Sequence, residues 1–381
     1  MSTTTLAPPP AARASGREHD RPTPKPGILD IAPYVPGKSK AEGFAHPLKL
    51  SSNENPLGAS PKARAAFAAA ADELQMYPDG RANGLREALH ARYGVEPERL
   101  LFGCGSDEVF TLLGQTYLQP GDNAVQLEHG FLAYRIAIRA AQAQVRFARQ
   151  PDRRIDVDAI LAEVDARTRI VFLDNPGNPT GAWIDGAEVR RLHAALPGDV
   201  ILVLDGAYAE FVDDPAYEDG IALAREAHNV VVSRTFSKIH GLAALRIGWA
   251  YCPPEVADAC DRIRAPFNLS LPGQAAAIAA LGDEDFMARS VALVQEQRPA
   301  LERGLQELGL QTYPSQGNFT LVRFPDAPGR TAAEAEAFLA SRGVLVRGLK
   351  PYGLGDSLRI TVGLPEQNAR VLDGVKAFLQ G

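Results

Sequence analysis

Lys238 follows a short β-branched run, Asn229-Val230-Val231-Val232, with hydroxyls at Thr235 and Ser237 and a guanidinium eight positions on at Arg246. The run predicts a buried strand, so the lysine falls just past a strand's carboxyl end, where open α/β sheets receive their ligands. A free amine there can condense with an aldehyde, and two hydroxyls with an arginine are the donors that hold a phosphate. Those needs fit pyridoxal phosphate. A solvated loop lysine accounts for the same residues, and the other loops have to decide.

Four more loops at predicted strand ends carry groups of interest. Gly103-Cys104-Gly105-Ser106 leads into a helix, and its glycines and free N–H groups suit an anion, although a plain glycine turn reads alike. Asp107 and Glu108 in the first helical turn would repel a phosphate unless their carboxylates point away. Phe131-Leu132-Ala133-Tyr134 opens another helix, where an aromatic either stacks on a planar ring or packs in the core. In Asp174-Asn175-Pro176-Gly177-Asn178-Pro179-Thr180-Gly181, prolines and glycines fix the backbone and leave Asn178 with a positioned amide. Asp205-Gly206-Ala207-Tyr208 ends the apolar run 200–204. A carboxylate at a buried strand end is costly unless a cation answers it or it caps the next segment. A protonated pyridine nitrogen is such a cation, worth on the order of 5 kcal/mol at about 3 Å and an effective dielectric of about 20.

The elements that must position these loops follow from the periodicity. Strands are predicted at 99–102, 123–127, 169–174, 200–205 and 229–233, with helices at 107–117, 132–141 and 188–196. Their alternation implies an α/β fold with a mostly parallel sheet between helices. Ser60-Pro61 caps a helix expected to run to Met76, and a second covers 84–93, stopping at Gly94. Beyond Pro266 the pattern becomes that of a smaller α+β domain. Helices are predicted at 274–281, 286–308, 332–342 and 365–379, and strands at 318–324, 344–347 and 358–362. The expected division is a flexible, proline-rich arm at 1–27, a segment at 28–60 joining the small domain, a large domain at 61–275 and a small one at 276–381.

Composition narrows the partners. A chain of 381 residues and net charge −6 has no basic footprint for nucleic acid or an anionic membrane. Cys104, Cys252 and Cys260 are too scattered for a disulfide framework or a zinc site, which fits a reducing cytoplasm. No apolar run is long enough to span a bilayer, and no secretory signal is evident.

Taken together, Asn178-Pro179-Thr180-Gly181, Asp205-x-Ala207-Tyr208 and Ser237-Lys238 with Arg246 resemble, in order and spacing, the fold-type-I pyridoxal-phosphate aminotransferases. Asn53-Glu54-Asn55-Pro56, Tyr77-Pro78-Asp79, Gly105-Ser106-Asp107-Glu108 and Leu358-Arg359-Ile360-Thr361-Val362-Gly363 look like the histidinol-phosphate branch of that family. The resemblance runs from about residue 30 to the C-terminus. It implies a large domain with a mostly parallel sheet and a smaller α+β domain. It makes Lys238 the Schiff-base lysine and proton shuttle, and pairs Asp205 with the pyridine nitrogen. Asn178 and Tyr208 go to the ring's phenolic oxygen and Phe131 to the ring face. Ser106, Thr235, Ser237 and Arg246 go to the phosphate, with Asp107 beside them. Tyr77 would reach the phosphate of a neighbouring subunit, which implies a homodimer. Arg359 and Arg347 would take the substrate's anionic end, with Tyr34 and Asn55 nearby.

Three residues depart from that family's habit: Gly206 where glutamate is usual, and Phe131 and Phe267 where tyrosine is common. None touches the Schiff-base chemistry, but the last two make the substrate side more apolar. The expected activity is a ping-pong transfer of an amino group between histidinol phosphate and 2-oxoglutarate. An aromatic amino-acid aminotransferase and a decarboxylase of the threonine-phosphate type are the alternatives. A non-catalytic regulator is disfavoured, because the short arm leaves no room for a helix-turn-helix domain.

Overall fold

The computed structural model describes residues 22–381; most of the expected flexible arm falls on residues 1–21 and lies outside the described residues. In chain order the strands are β1 (Leu48–Lys49), β2 (Leu100–Gly103), β3 (Asn123–Leu127), β4 (Gln144–Ala148), β5 (Thr168–Asp174), β6 (Ile201–Asp205), β7 (Val230–Thr235) and β8 (Gly248–Tyr251). A second set comprises β9 (Gln311–Tyr313), β10 (Phe319–Arg323), β11 (Val344–Leu345), β12 (Arg347–Leu349) and β13 (Leu354–Thr361).

The larger sheet has the order β2-β8-β7-β6-β5-β3-β4. Its strands are parallel except β8, which runs antiparallel to both β2 and β7. Successive side chains of a strand point to opposite faces. Accordingly Val171, Leu173, Leu202, Leu204, Val230 and Val232 pack in one core layer, and Ile170, Phe172, Ile201, Val203 and Val231 in the other. Both faces are covered, which is why these strands read as unbroken apolar runs. The pairing sets Asp174 opposite Asp205 and Asp205 opposite Ser233, so β5, β6 and β7 deliver their carboxyl-end loops to one crevice.

The smaller sheet, β12-β13-β10-β9, is antiparallel. Beside it β1 pairs in parallel with β11, and Leu48 and Leu50 share a core with Leu301, Val322, Leu339, Ile360 and Val371. The single strand expected at 344–347 is therefore two, with Val346 at the change of partner. Sequence reading also passed over β4, β8 and β9. β4 is a partly exposed edge strand, β8 opens on a glycine, and β9 has only three residues, none of them buried. The helix expected to reach Met76 ends at Ala69 and continues as one 3-10 turn, Ala70–Glu73. Its alanines offer little apolar surface to hold a longer helix, and only Ala63 in it is buried. Among the described residues no helix is long and apolar enough to cross a membrane.

Phe172 joins sheet to site: its ring stacks on Tyr134 at 4.9 Å between centroids, 9° from parallel. Phe172→Ala should leave a cavity under Tyr134 and cost about 3–5 kcal/mol, read as a lowered urea midpoint with the slope unchanged.

Candidate active site

At the carboxyl ends of β5, β6 and β7 lies a cavity of about 200 Å³, closed on its far side by β12 and β13. Asp205 forms its floor. This carboxyl is buried and accepts hydrogen bonds from Tyr134 Oη (2.6 Å), Ser233 Oγ (3.0 Å) and the Ala207 N–H (3.2 Å). Burial raises its pKa, and the bonds from Tyr134 and Ser233 pull it back. Donors of this kind favour the ionised form.

Lys238 points into the same space and donates from Nζ to the Ser52 carbonyl at 3.0 Å. Burial, reinforced by Arg359, lowers its amine to about 8, with Glu54 and Asp107 opposing. The free base is thus populated near neutrality, as a nucleophilic lysine requires. Tyr208 lies beside it, its ring centroid 5.9 Å from Nζ and its hydroxyl accepting from Asn53 Nδ2 at 2.8 Å. Phe131 and Asn178 line the remaining wall.

Opposite the floor, Ser106 opens the helix Ser106–Tyr117 beside Thr235, Ser237 and Arg246. Glycine is required here. Gly105 has φ +81°, and a Cβ on it would sit 2.3 Å from Arg246 Nη2, while one on Gly248 would sit 2.2 Å from the Ser106 nitrogen. The first-turn carboxylates are disposed of differently. Glu108 turns back to accept from the Cys104 N–H (2.5 Å) and Asn268 (2.8 Å), away from the cup. Asp107 rests on Arg246 at 3.1 Å, so any anion entering the cup would compete with it for that guanidinium.

At the cavity's other end Arg359 and Arg347 stand directly opposite each other on β13 and β12. Arg359 bonds the Asn178 side-chain oxygen and the Ser51 carbonyl; Arg347 bonds the Val35 carbonyl beside Tyr34, which is 48% exposed at the mouth. A glycine-walled cationic cup, a floor carboxylate and an amine of lowered pKa fit the phosphate, ring nitrogen and aldehyde of pyridoxal phosphate.

The family model described as aminotransferase class I and II matches residues 45–375. The chain belongs to the class I and II aminotransferase family. It is 59% identical over 356 residues to histidinol-phosphate aminotransferase 1 of Caulobacter vibrioides, covering 93% of this chain and 99% of that protein. To the histidinol-phosphate aminotransferase of Maricaulis maris it is 52% identical, over 94% and 99%. The crystal structure of histidinol-phosphate aminotransferase from Sinorhizobium meliloti in complex with pyridoxal-5′-phosphate superposes with a TM-score of 0.87 at 27% identity, over 95% of this chain and 99% of that one.

Two residues expected at the aminotransferase site lie outside the cavity. Asn55 is buried and donates to the Ile239 carbonyl (2.8 Å) and Ser290 Oγ (3.0 Å), away from the cavity lining. Tyr77 is 80% exposed and stacked on Phe267 at 4.7 Å. Conversely, sequence reading overlooked Asn53, the Ser52 carbonyl, Tyr134 and Ser233. Asn53 sits two places from Asn55 in the same motif with φ +55°, a conformation asparagine tolerates. Tyr134 closes the Phe131 loop motif, but only the folded sheet brings its hydroxyl to Asp205.

Tyr134→Phe removes one donor from the floor carboxylate while preserving the ring stack. A hydrogen bond to a charged group is worth about 1.5–3 kcal/mol, so pyridoxal phosphate should bind roughly ten- to hundredfold more weakly, measured by titrating apoenzyme fluorescence.

Proposed function

We propose that the chain is a cytoplasmic, pyridoxal-phosphate-dependent aminotransferase that exchanges an amino group between histidinol phosphate and 2-oxoglutarate in histidine biosynthesis. The observation that carries the substrate assignment is the pair of buried arginines, Arg347 and Arg359, facing each other across β12 and β13 at the cavity. One guanidinium suits a carboxylate, whereas two suit the nearly doubled charge of a phosphate. The names of the relatives at 52% and 59% identity support the same substrate.

When bound, pyridoxal phosphate supplies an aldehyde for the amine and a cationic ring that draws electrons from the bonds at Cα. The chain's residues do the rest. Ser106, Thr235, Ser237 and Arg246 hold the phosphate, with Asp107 giving up its hold on Arg246. Asp205 keeps the ring nitrogen protonated, Asn178 and Tyr208 hydrogen-bond the phenolic oxygen, and Phe131 covers the ring face. Lys238 Nζ, the amine that would hold the cofactor's aldehyde, is placed to take the proton from the donor's Cα and to return it to the former aldehyde carbon, two atoms along. 2-Oxoglutarate then occupies the same pocket, with a carboxylate on the arginines where the phosphate was, and reverses the sequence.

The working form is a homodimer in which Tyr77 reaches the partner's phosphate cup. The exposed stack of Tyr77 on Phe267, itself 45% exposed, is the kind of aromatic surface that association covers. Residues 61–275 act as the large domain and 276–381 as the small one, with 28–60 fastened to the latter through β1.

The amine of Lys238 must lose its proton to attack. Capture of pyridoxal phosphate by apoenzyme should therefore accelerate as pH rises through about 8 and level off above it, followed by stopped-flow absorbance. A midpoint near the ordinary lysine value of 10.5 would contradict the assignment.

The substrate assignment is tested with wild type and Arg347→Ala on histidinol phosphate, phenylalanine and glutamate. A charge-assisted contact is worth about 1.5–3 kcal/mol, so kcat/KM should fall more than about tenfold further for histidinol phosphate than for the others. Equal losses for all three donors would favour an aromatic amino-acid enzyme instead.

A further inference from the structure

The roles above use one carboxyl on the cavity floor, but the floor holds two. Asp174 ends β5 directly opposite Asp205 on β6, is equally buried and lines the same cavity. Their surroundings differ sharply. Asp205 receives three donors, from Tyr134, Ser233 and Ala207. Asp174 receives the Asn178 N–H on Oδ2 at 2.8 Å, while its Oδ1 is buried without a hydrogen-bond partner. Among the described residues no cation pairs with it. Lys238 is held by Ser52, and Arg359 by Ser51 and Asn178. Asp205 is the charged group that acts most strongly on Asp174, and Asp174 acts in turn on Tyr134 and Tyr352.

Two adjacent buried carboxyls resist being ionised together, and the proton stays on the one with fewer full hydrogen bonds, here Asp174 with one against three for Asp205. We propose that Asp174 is the proton-holding acid of the site: it keeps its proton on the buried Oδ1, beside the Gly130 turn, until the pH reaches the neutral range, and below that point leaves Asp205 the sole negative charge on the floor. Asp174 acts on the reaction through Asp205 and is a positioning residue. Burial is the main cause that raises its pKa to about 7, with Asp205 adding to it, against the N–H groups of Asn178, Asp174 itself and Phe131. The inference rests on the proposed function only in naming the partner of Asp205.

The sign of the stability effect follows from the proton count. Unfolded, Asp174 releases its proton near 3.8; folded, it holds it to about 7, so the unfolded chain binds fewer protons between those values. Wild-type stability then falls with rising pH across that window and is flat above it. Asp174→Asn imitates the neutral acid at every pH. Relative to this variant, the wild-type folding constant should drop by up to about tenfold per pH unit between 3.8 and 7.

The test uses the as-purified full-length chain, wild type and Asp174→Asn. Infrared difference spectra across the pH range should show a carboxylic-acid carbonyl band that vanishes with a midpoint near 7 in the wild type and is missing from the variant. If Asp174→Asn does not fold, Asp174→Ala takes its place in the infrared comparison. The proposal is overturned if wild type and variant share the same band, or share the same pH dependence of stability. The infrared and stability measurements need no substrate. A chain that fails to transaminate yet shows the band therefore loses the proposed function and keeps this inference.

Discussion

A carboxylate sunk at the end of a central strand costs several kcal/mol unless its charge is answered, and the architecture around Asp205 is arranged to answer it. Its three protein donors arise from separate elements: Tyr134 from a helix packed on the sheet, Ser233 from β7, and Ala207 from its own loop. The first two cannot be in position until the sheet and its covering helix have assembled. Tyr134 is in turn fixed by Phe172 and Phe110, which belong to the same core layer. Packing thus sets the electrostatics of the cavity, and the Asp205 carboxyl is oriented before any ligand arrives.

The cationic side of the cavity follows a complementary rule. Lys238, Arg359 and Arg347 each donate to a main-chain carbonyl of the N-terminal segment, at Ser52, Ser51 and Val35. Asn53 completes the set, with its backbone N–H on Thr361 Oγ1 and its amide on Tyr208. Neutral carbonyls hold the cations in place without cancelling their charge. An anionic substrate therefore finds the side chains preorganised, and less of its binding energy goes into ordering them.

The large sheet was legible because its strands are buried on both faces and read as apolar runs, and its functional loops because lysine, aspartate and asparagine recur at strand ends. What stayed hidden depended on partners far apart in sequence. The strand Gly248–Tyr251 carries too little pattern in four residues to be recognised, yet its glycine makes room for Ser106. Asn53 and Asn55 are indistinguishable in a motif; one faces the cavity and the other the helix Glu284–Glu307, and only the turn between them decides which. Tyr77 is the converse case, prominent in the sequence but outside the cavity of its own chain.

The parallel pairing of β1 with β11 joins residues 48–49 to residues 344–345. During synthesis the first partner emerges roughly a quarter-minute to a minute before the second, at about 5–20 residues per second. In that interval the large sheet can assemble with its floor carboxylates in place, while neither the wall that bears both arginines nor the β1 pairing that fixes the Ser52 carbonyl on Lys238 yet exists. A nascent chain can therefore form the floor of the cavity before the wall that closes it. The order of translation separates the two events without any dedicated gate.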